Sequence, residues 1–199
     1  AGRHGPLPAG RLLRDAKHAF EDSEDLINLS EVLMNLGSLY REQGRLDQAL
    51  VVIKHSIRII EKLGNLRRQS AGYTDLARIH LQMANFDEAD EAAQQALADA
   101  VKADDRRHRA LALATLGRVA VARNERGKAI RYLRESARQL KSLGLKDAWA
   151  EVSRDLGLLL KGRTPEAEAA QYLTQAINPE ALLRGAAAVP ARAPARRSR

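Results

Sequence analysis

The sequence contains no cysteine, which excludes disulfides and thiolate metal sites and removes any pointer to an oxidising compartment. Aromatic residues make up only 4% of it, with two phenylalanines, Phe20 and Phe86, and one tryptophan, Trp149, so rings on which nucleic-acid bases could stack are scarce. No apolar run approaches the roughly 20 residues that span a bilayer and no signal peptide opens the chain, so a cytoplasmic protein without a membrane partner is expected. Ala1 in place of methionine fits a processed chain or a module of a longer protein. Also missing are a Gly-rich phosphate loop, a nucleophile elbow and an HExxH motif. The five histidines, His4, His18, His55, His80 and His108, lack metal-ligand spacing. These absences predict no catalytic role, no metal and no cofactor.

What is present favours helices. In 199 residues, 45% are apolar, mostly alanine and leucine, enough to bury one sizeable core and poor in the branched and aromatic residues of strands. The net charge of +8 is unevenly spread, because residues 184–199, RGAAAVPARAPARRSR, hold five arginines and no acid, leaving 28 basic against 25 acidic side chains elsewhere. That segment has too little apolar surface to fold, so 184–199 is expected to be a disordered basic tail, and 1–9 a flexible N-terminal segment.

The strongest signal is a repeat. Leu36-Gly37 recurs forty residues on as Leu76-Ala77, then as Leu116-Gly117 and Leu156-Gly157. Twelve residues beyond each small residue stands an alanine, Ala49, Ala89, Ala129 and Ala169. Four further come apolar Ile53, Ala93, Leu133 and Leu173, and then small Ser56, Ala96, Ser136 and Ala176. Within each period the pattern is helix, short break, helix. Leu26, Leu29, Val32, Leu33, Leu36 and Tyr40 recur at spacings of three and four and predict an amphipathic helix ended by Gly44. A second helix is predicted over about residues 46–63, closed by Gly64, and later breaks fall at Ala84-Asn85, at Asn124 and in a loop with Gly162 and Pro165. Ser23 is a candidate N-cap, and Asn178-Pro179 begins a short terminal helix over 181–184. A glycine inside a helix costs about 1 kcal/mol against alanine, so Gly37, Gly117 and Gly157 are expected where a second helix crosses closely.

These residues, with Tyr40, Gly44 and Ala49, resemble tetratricopeptide repeats over about residues 24–178. The usual repeat is about 34 residues. Longer ones occur in resembling families, among them cell-polarity adaptors, kinesin light chains and large bacterial regulators. HEAT repeats also run near forty residues but do not explain a small residue within the first helix followed by an alanine twelve positions later. The resemblance implies an all-α fold, a right-handed α-solenoid of antiparallel helix pairs. Its expected parts are a half repeat at 10–22 and repeats at about 24–64, 65–104, 105–144 and 145–183.

The resemblance further implies a concave groove, lined by the first helix of each pair, that binds a protein or peptide. By register its residues are Glu31, Met34, Ser38 and Arg41; Thr74, Arg78 and Leu81; Leu111, Ala114, Arg118 and Val121; and Glu151, Arg154, Leu158 and Lys161. Arg78, Arg118 and Arg154 point to a partner with acidic character, while pairing with neighbouring acids such as Asp75 and Asp155 is the competing expectation. Met34 and Ser38 replace the lysine and asparagine that grip chaperone tails in one subgroup, which argues against that ligand. Two other classes stay open. Arg67-Arg68, Arg106-Arg107-His108-Arg109 and the tail could meet nucleic acid, the less favoured partner; an uncovered end of the array could make a homodimer. The expected role is an interaction scaffold, the sensing or adaptor module of a bacterial regulator.

Overall fold

The computed structural model describes residues 25–161 and 166–177, and within them every regular element is a helix. In chain order these are α1 (Leu26–Glu42), α2 (Leu46–Lys62), α3 (Leu66–Gln82), α4 (Phe86–Lys102), α5 (Arg106–Ala122), α6 (Arg126–Ser142), α7 (Lys146–Leu160) and α8 (Glu166–Ile177). The expected segments at 1–9, 10–22, 181–184 and 184–199 lie outside the described residues, as do Ser23 and the loop with Gly162 and Pro165.

The forty-residue period has a simple origin. Each of the first six helices is 17 residues long and is followed by a three-residue turn, so every pair of helices consumes forty. All six turns close in the same way. Their middle residues are left-handed: Gly44 (φ 71°), Gly64 (66°), Ala84 (60°), Asp104 (49°), Asn124 (59°) and Gly144 (68°). The N–H of that residue bonds the carbonyl three back and the next N–H bonds the carbonyl five back, at 2.8–3.4 Å, which satisfies groups the helix end would leave bare. The turn at Asp104 has neither the glycine nor the asparagine that marks the breaks at Gly44, Gly64, Ala84-Asn85 and Asn124 in the sequence. At the N-termini, Asp25, Asn65 and Asp105 accept from the backbone N–H of Asn28, Arg68 and His108, so the cap of α1 is Asp25.

Consecutive helices pack as antiparallel pairs in a solenoid, and α1, α3, α5 and α7 also touch their odd-numbered neighbours. Odd helices therefore share one layer and even helices the other. Leu33, Leu36, Ile53, Ile60, Ile79, Leu116, Leu133, Leu140, Trp149 and Leu156 lie fully buried between them.

The small residues sit where the layers cross. A β-carbon built on Gly117 would lie 2.6 Å from Leu133 Cδ2, and one on Gly157 would lie 2.8 Å from Leu173 Cγ. One on Gly37 would collide with the Ile53 side chain. Where the second repeat carries Ala77, the residue sixteen further on is Ala93 in place of isoleucine or leucine, so the added methyl is matched by a trimmed partner. A second matched pair joins the layers. Ser56 Oγ donates to the Ser30 carbonyl and Ser136 Oγ to the Ala110 carbonyl, at 2.7 and 2.8 Å. The second repeat has alanine at 96, and there the bond reverses, Ser70 Oγ donating to the Ala96 carbonyl at 2.8 Å.

Candidate partner-binding groove

A cavity of about 580 Å³ opens on the odd-helix layer. Its lining moves steadily along the helices. It takes Arg41 from the last turn of α1, Arg78, Leu81 and Gln82 from the end of α3, Leu111, Ala114 and Arg118 from the middle of α5, and Asp147, Ala148, Glu151 and Val152 from the start of α7. The groove thus crosses the four helices obliquely. A second cavity of about 500 Å³ runs beside it, nearer the helix C-termini, lined by Leu81, Arg118, Val121, Asp155, Leu158 and Leu159. Leu81 and Arg118 border both, and Val121 and Leu158 are 45% and 59% exposed, an apolar surface left open to solvent.

Of the residues expected by register, Arg41, Arg78, Leu81, Leu111, Ala114, Arg118, Val121, Glu151 and Leu158 come together in these two cavities. Met34 packs against the core instead. Thr74 is buried, its hydroxyl donating to the Ser70 carbonyl. Ser38 is half-buried, while Glu31, Arg154 and Lys161 are exposed, and all four lie outside both cavities. Gln82, Asp147, Ala148, Val152, Asp155 and Leu159 join the lining unforeseen, because carrying one register across every repeat ignores the obliquity.

The charges follow a rule of spacing. Residues separated by 37 face each other across adjacent odd helices, as in Arg118 Nε to Asp155 Oδ2 (2.7 Å) and Arg68 Nη2 to Glu31 Oε2 (3.3 Å). Arg118 also reaches Glu151 at 3.2 Å. Burial works against its charge, but the two carboxylates hold its proton above the usual arginine range. Arg78 has a poorer partner, Asp75, at 3.4 Å. Burial, and then the positive charges of Arg118 and Arg41, lower its proton affinity. Burial raises the Asp75 pKa, opposed by Arg78, Arg41 and His108, so a single carboxylate serves several cations. The Nε atoms of Arg41 and Arg78 are buried without a hydrogen-bond partner.

Part of the basic clusters at the edge is engaged within the chain: Arg67 lies 3.7 Å from Asp105, His108 lies 2.8 Å from the same carboxylate, and Arg109 donates to Gln139 at 3.3 Å. Among the described residues no helix is long and apolar enough to cross a membrane.

Residues 28–100 match the family model described as tetratricopeptide repeat. Over that segment the chain is similar to tetratricopeptide repeats. No curated protein matches the sequence. Solved tetratricopeptide-like structures do resemble it. BtubC (BKLC) from P. vanneervenii is 16% identical with a TM-score of 0.66, over 98% of this chain and 89% of that one. The STAND protein with a tetratricopeptide repeat sensor from Pyrococcus horikoshii is 21% identical with a TM-score of 0.66, over 88% of this chain and 28% of that one. MamA 41-end from Desulfovibrio magneticus RS-1 is 15% identical with a TM-score of 0.55, over 88% of this chain and 97% of that one. At these identities the likeness establishes the fold. Tetratricopeptide repeats are in general non-catalytic scaffolds for protein–protein contact.

Proposed function

We propose that this chain is a non-catalytic scaffold whose oblique groove holds an acidic segment of a partner protein. The observation that carries the reading is the row of three guanidinium groups, Arg41, Arg78 and Arg118, that three successive odd helices bring to one cavity. Arg78 and Arg118 keep this role from the sequence reading, and Arg41 takes the place given there to Arg154. Arginine in such a recess favours carboxylates, which accept its paired N–H groups and gain strength where water is excluded. The role suits the sensing or adaptor part of a larger regulator, the part that tetratricopeptide repeats play in the Pyrococcus horikoshii protein.

The test is a selection of random twelve-residue peptides displayed against the full chain, followed by affinity measurement on the most enriched peptide. An Arg78→Gln, Arg118→Gln variant should bind it at least about tenfold more weakly, while Arg131→Gln on the even-helix layer should bind it as the parent does. Equal affinity for all three proteins would remove the groove from the account.

A further inference from the structure

The spacing of 37 that pairs Arg118 with Asp155 also tells which cations meet no acid on the next odd helix at that spacing: Arg41 has Glu42 at 3.7 Å and Arg78 has Asp75 at 3.4 Å, each from its own helix. Applied to Arg41 it gives Arg78, a like charge; applied to Arg78 it gives Thr115, where the repeats on either side place Asp75 and Asp155. Position 115 thus has no acid where 75 and 155 do, and the Arg118–Asp155 contact has no counterpart at Arg78. Thr115 is fully buried and turns its hydroxyl to the Leu111 carbonyl at 3.1 Å, so it supplies nothing to the guanidinium groups. The same rule applied to Val121 gives Leu158, an apolar pair, and both belong to the neighbouring cavity that Leu81 and Arg118 share. An excess of positive charge and exposed apolar surface are thus adjacent and joined.

We infer that the ligand of this groove is bidentate in character: it carries a side-chain or terminal carboxylate that enters between Arg41 and Arg78, and a bulky aliphatic side chain that fills the dish of Leu81, Val121 and Leu158. The inference rests on the groove reading above and narrows it to the ligand's composition. The carboxylate supplies the charge missing from position 115, which relieves the repulsion between Arg41 and Arg78 and gives Asp75 one fewer cation to serve. The aliphatic group covers Val121 and Leu158, removing apolar surface from water. A peptide with only one of the two features uses half the site.

The experiment uses the enriched display peptide and two derivatives, one with each Asp and Glu changed to its amide and one with each large aliphatic residue changed to serine. Each derivative should bind the full chain at least about tenfold more weakly. Coupling then locates each feature. With Arg41→Gln, which leaves the Asp75–Arg78 pair to itself, the amide derivative should bind within about twofold of the acidic peptide; with Leu158→Ser, on an exposed position, the serine derivative should bind within about twofold of the aliphatic one. Thr115→Asp, which restores the ladder internally, should weaken the acidic peptide about tenfold, and Thr115→Asn should not. An enriched consensus that lacks either acids or aliphatics, or couplings near unity in both cycles, would overturn the inference. If those results come with sensitivity to Arg78→Gln, Arg118→Gln, the groove itself stands; without that sensitivity, or with no enriched peptide, both fall.

Discussion

Replacing Gly117 by alanine adds one methyl group at a helix crossing, and its consequence can be worked from the packing. The new β-carbon would stand 2.6 Å from Leu133 Cδ2, 2.7 Å from its Cγ and 3.4 Å from its backbone nitrogen. Contacts under about 3 Å are repulsive, and Leu133, at 0% exposure, has no solvent to swing into. Overpacking of this kind costs about 1–3 kcal/mol, against about 1 kcal/mol gained from alanine's higher helix propensity. Gly117→Ala is therefore expected to destabilise by about 1 kcal/mol net, or about 2–4 °C in melting temperature. Leu133→Ala alone should cost about 2–5 kcal/mol through the cavity it leaves. Combined, the two substitutions recreate the pairing of Ala77 with Ala93, so the clash disappears and the methyl fills part of the cavity. The double variant should be about 1–3 kcal/mol more stable than the sum of the single effects. Urea unfolding followed by Trp149 fluorescence reads this region, since Trp149 belongs to the same buried cluster as Leu133. Additivity within about 0.5 kcal/mol would refute the crossing argument.

Three further outcomes follow from other sites. Ala84 is left-handed (φ 60°) without being glycine, so Ala84→Gly should raise stability by about 1 kcal/mol in the same assay, whereas Gly44→Ala, where a β-carbon meets nothing within 4 Å, should lower it by about as much. Burial lowers the His80 pKa, with Lys54 adding to the effect, so around pH 6.5 the unfolded chain binds more protons than the folded one. Stability should then be full above that pH and fall below it, and His80→Gln should flatten this limb of a pH series of melting temperatures. Tyr73 is pushed up to about 12 by burial and by donating its hydroxyl to Glu61 at 2.7 Å. The folded state keeps a proton that the unfolded state loses from pH 10, so stability should decline from there toward 12, and a tyrosinate absorbance titration should lose its latest step in Tyr73→Phe.

The fold was open to reading because its constraints are local and repeated. Gly37, Ala49 and Ile53 lie within seventeen residues of one another, and each of the three positions recurs in four copies as a small, an alanine and an apolar residue, so the crossing geometry is written into a short stretch and written again. Breaks at Gly44, Gly64 and Asn124 could be read because glycine and asparagine tolerate a left-handed backbone. Asp104 adopts the same conformation without announcing it, since the six-residue closing motif, rather than the residue type, fixes the turn. The groove was half legible. Which helices form it follows from the repeat, so Arg78, Leu81 and Arg118 were named; how far along each helix it runs follows from the rotation between successive pairs, which no column of residues records. Hence Asp147, Ala148 and Val152 at the start of α7 were missed, while Arg154 and Lys161, both exposed and outside the two cavities, were included.

The pairs that join the layers also define what evolution can copy. Gly117 with Leu133, Ala77 with Ala93, and Ser136 with the Ala110 carbonyl all lie inside one repeat, whereas Arg118 with Asp155 and Arg68 with Glu31 bridge two. Duplication or shuffling cut at the turns of Gly64, Asp104 or Gly144 keeps these matches within each repeat intact, and what must fit anew are the contacts between repeats, such as Gly72 against Ile57 and Arg118 with Asp155. A cut at Gly44, Ala84 or Asn124 would unite a glycine with an alanine, or an alanine with a leucine. The forty-residue unit is thus the smallest piece that carries its own helix crossing with it.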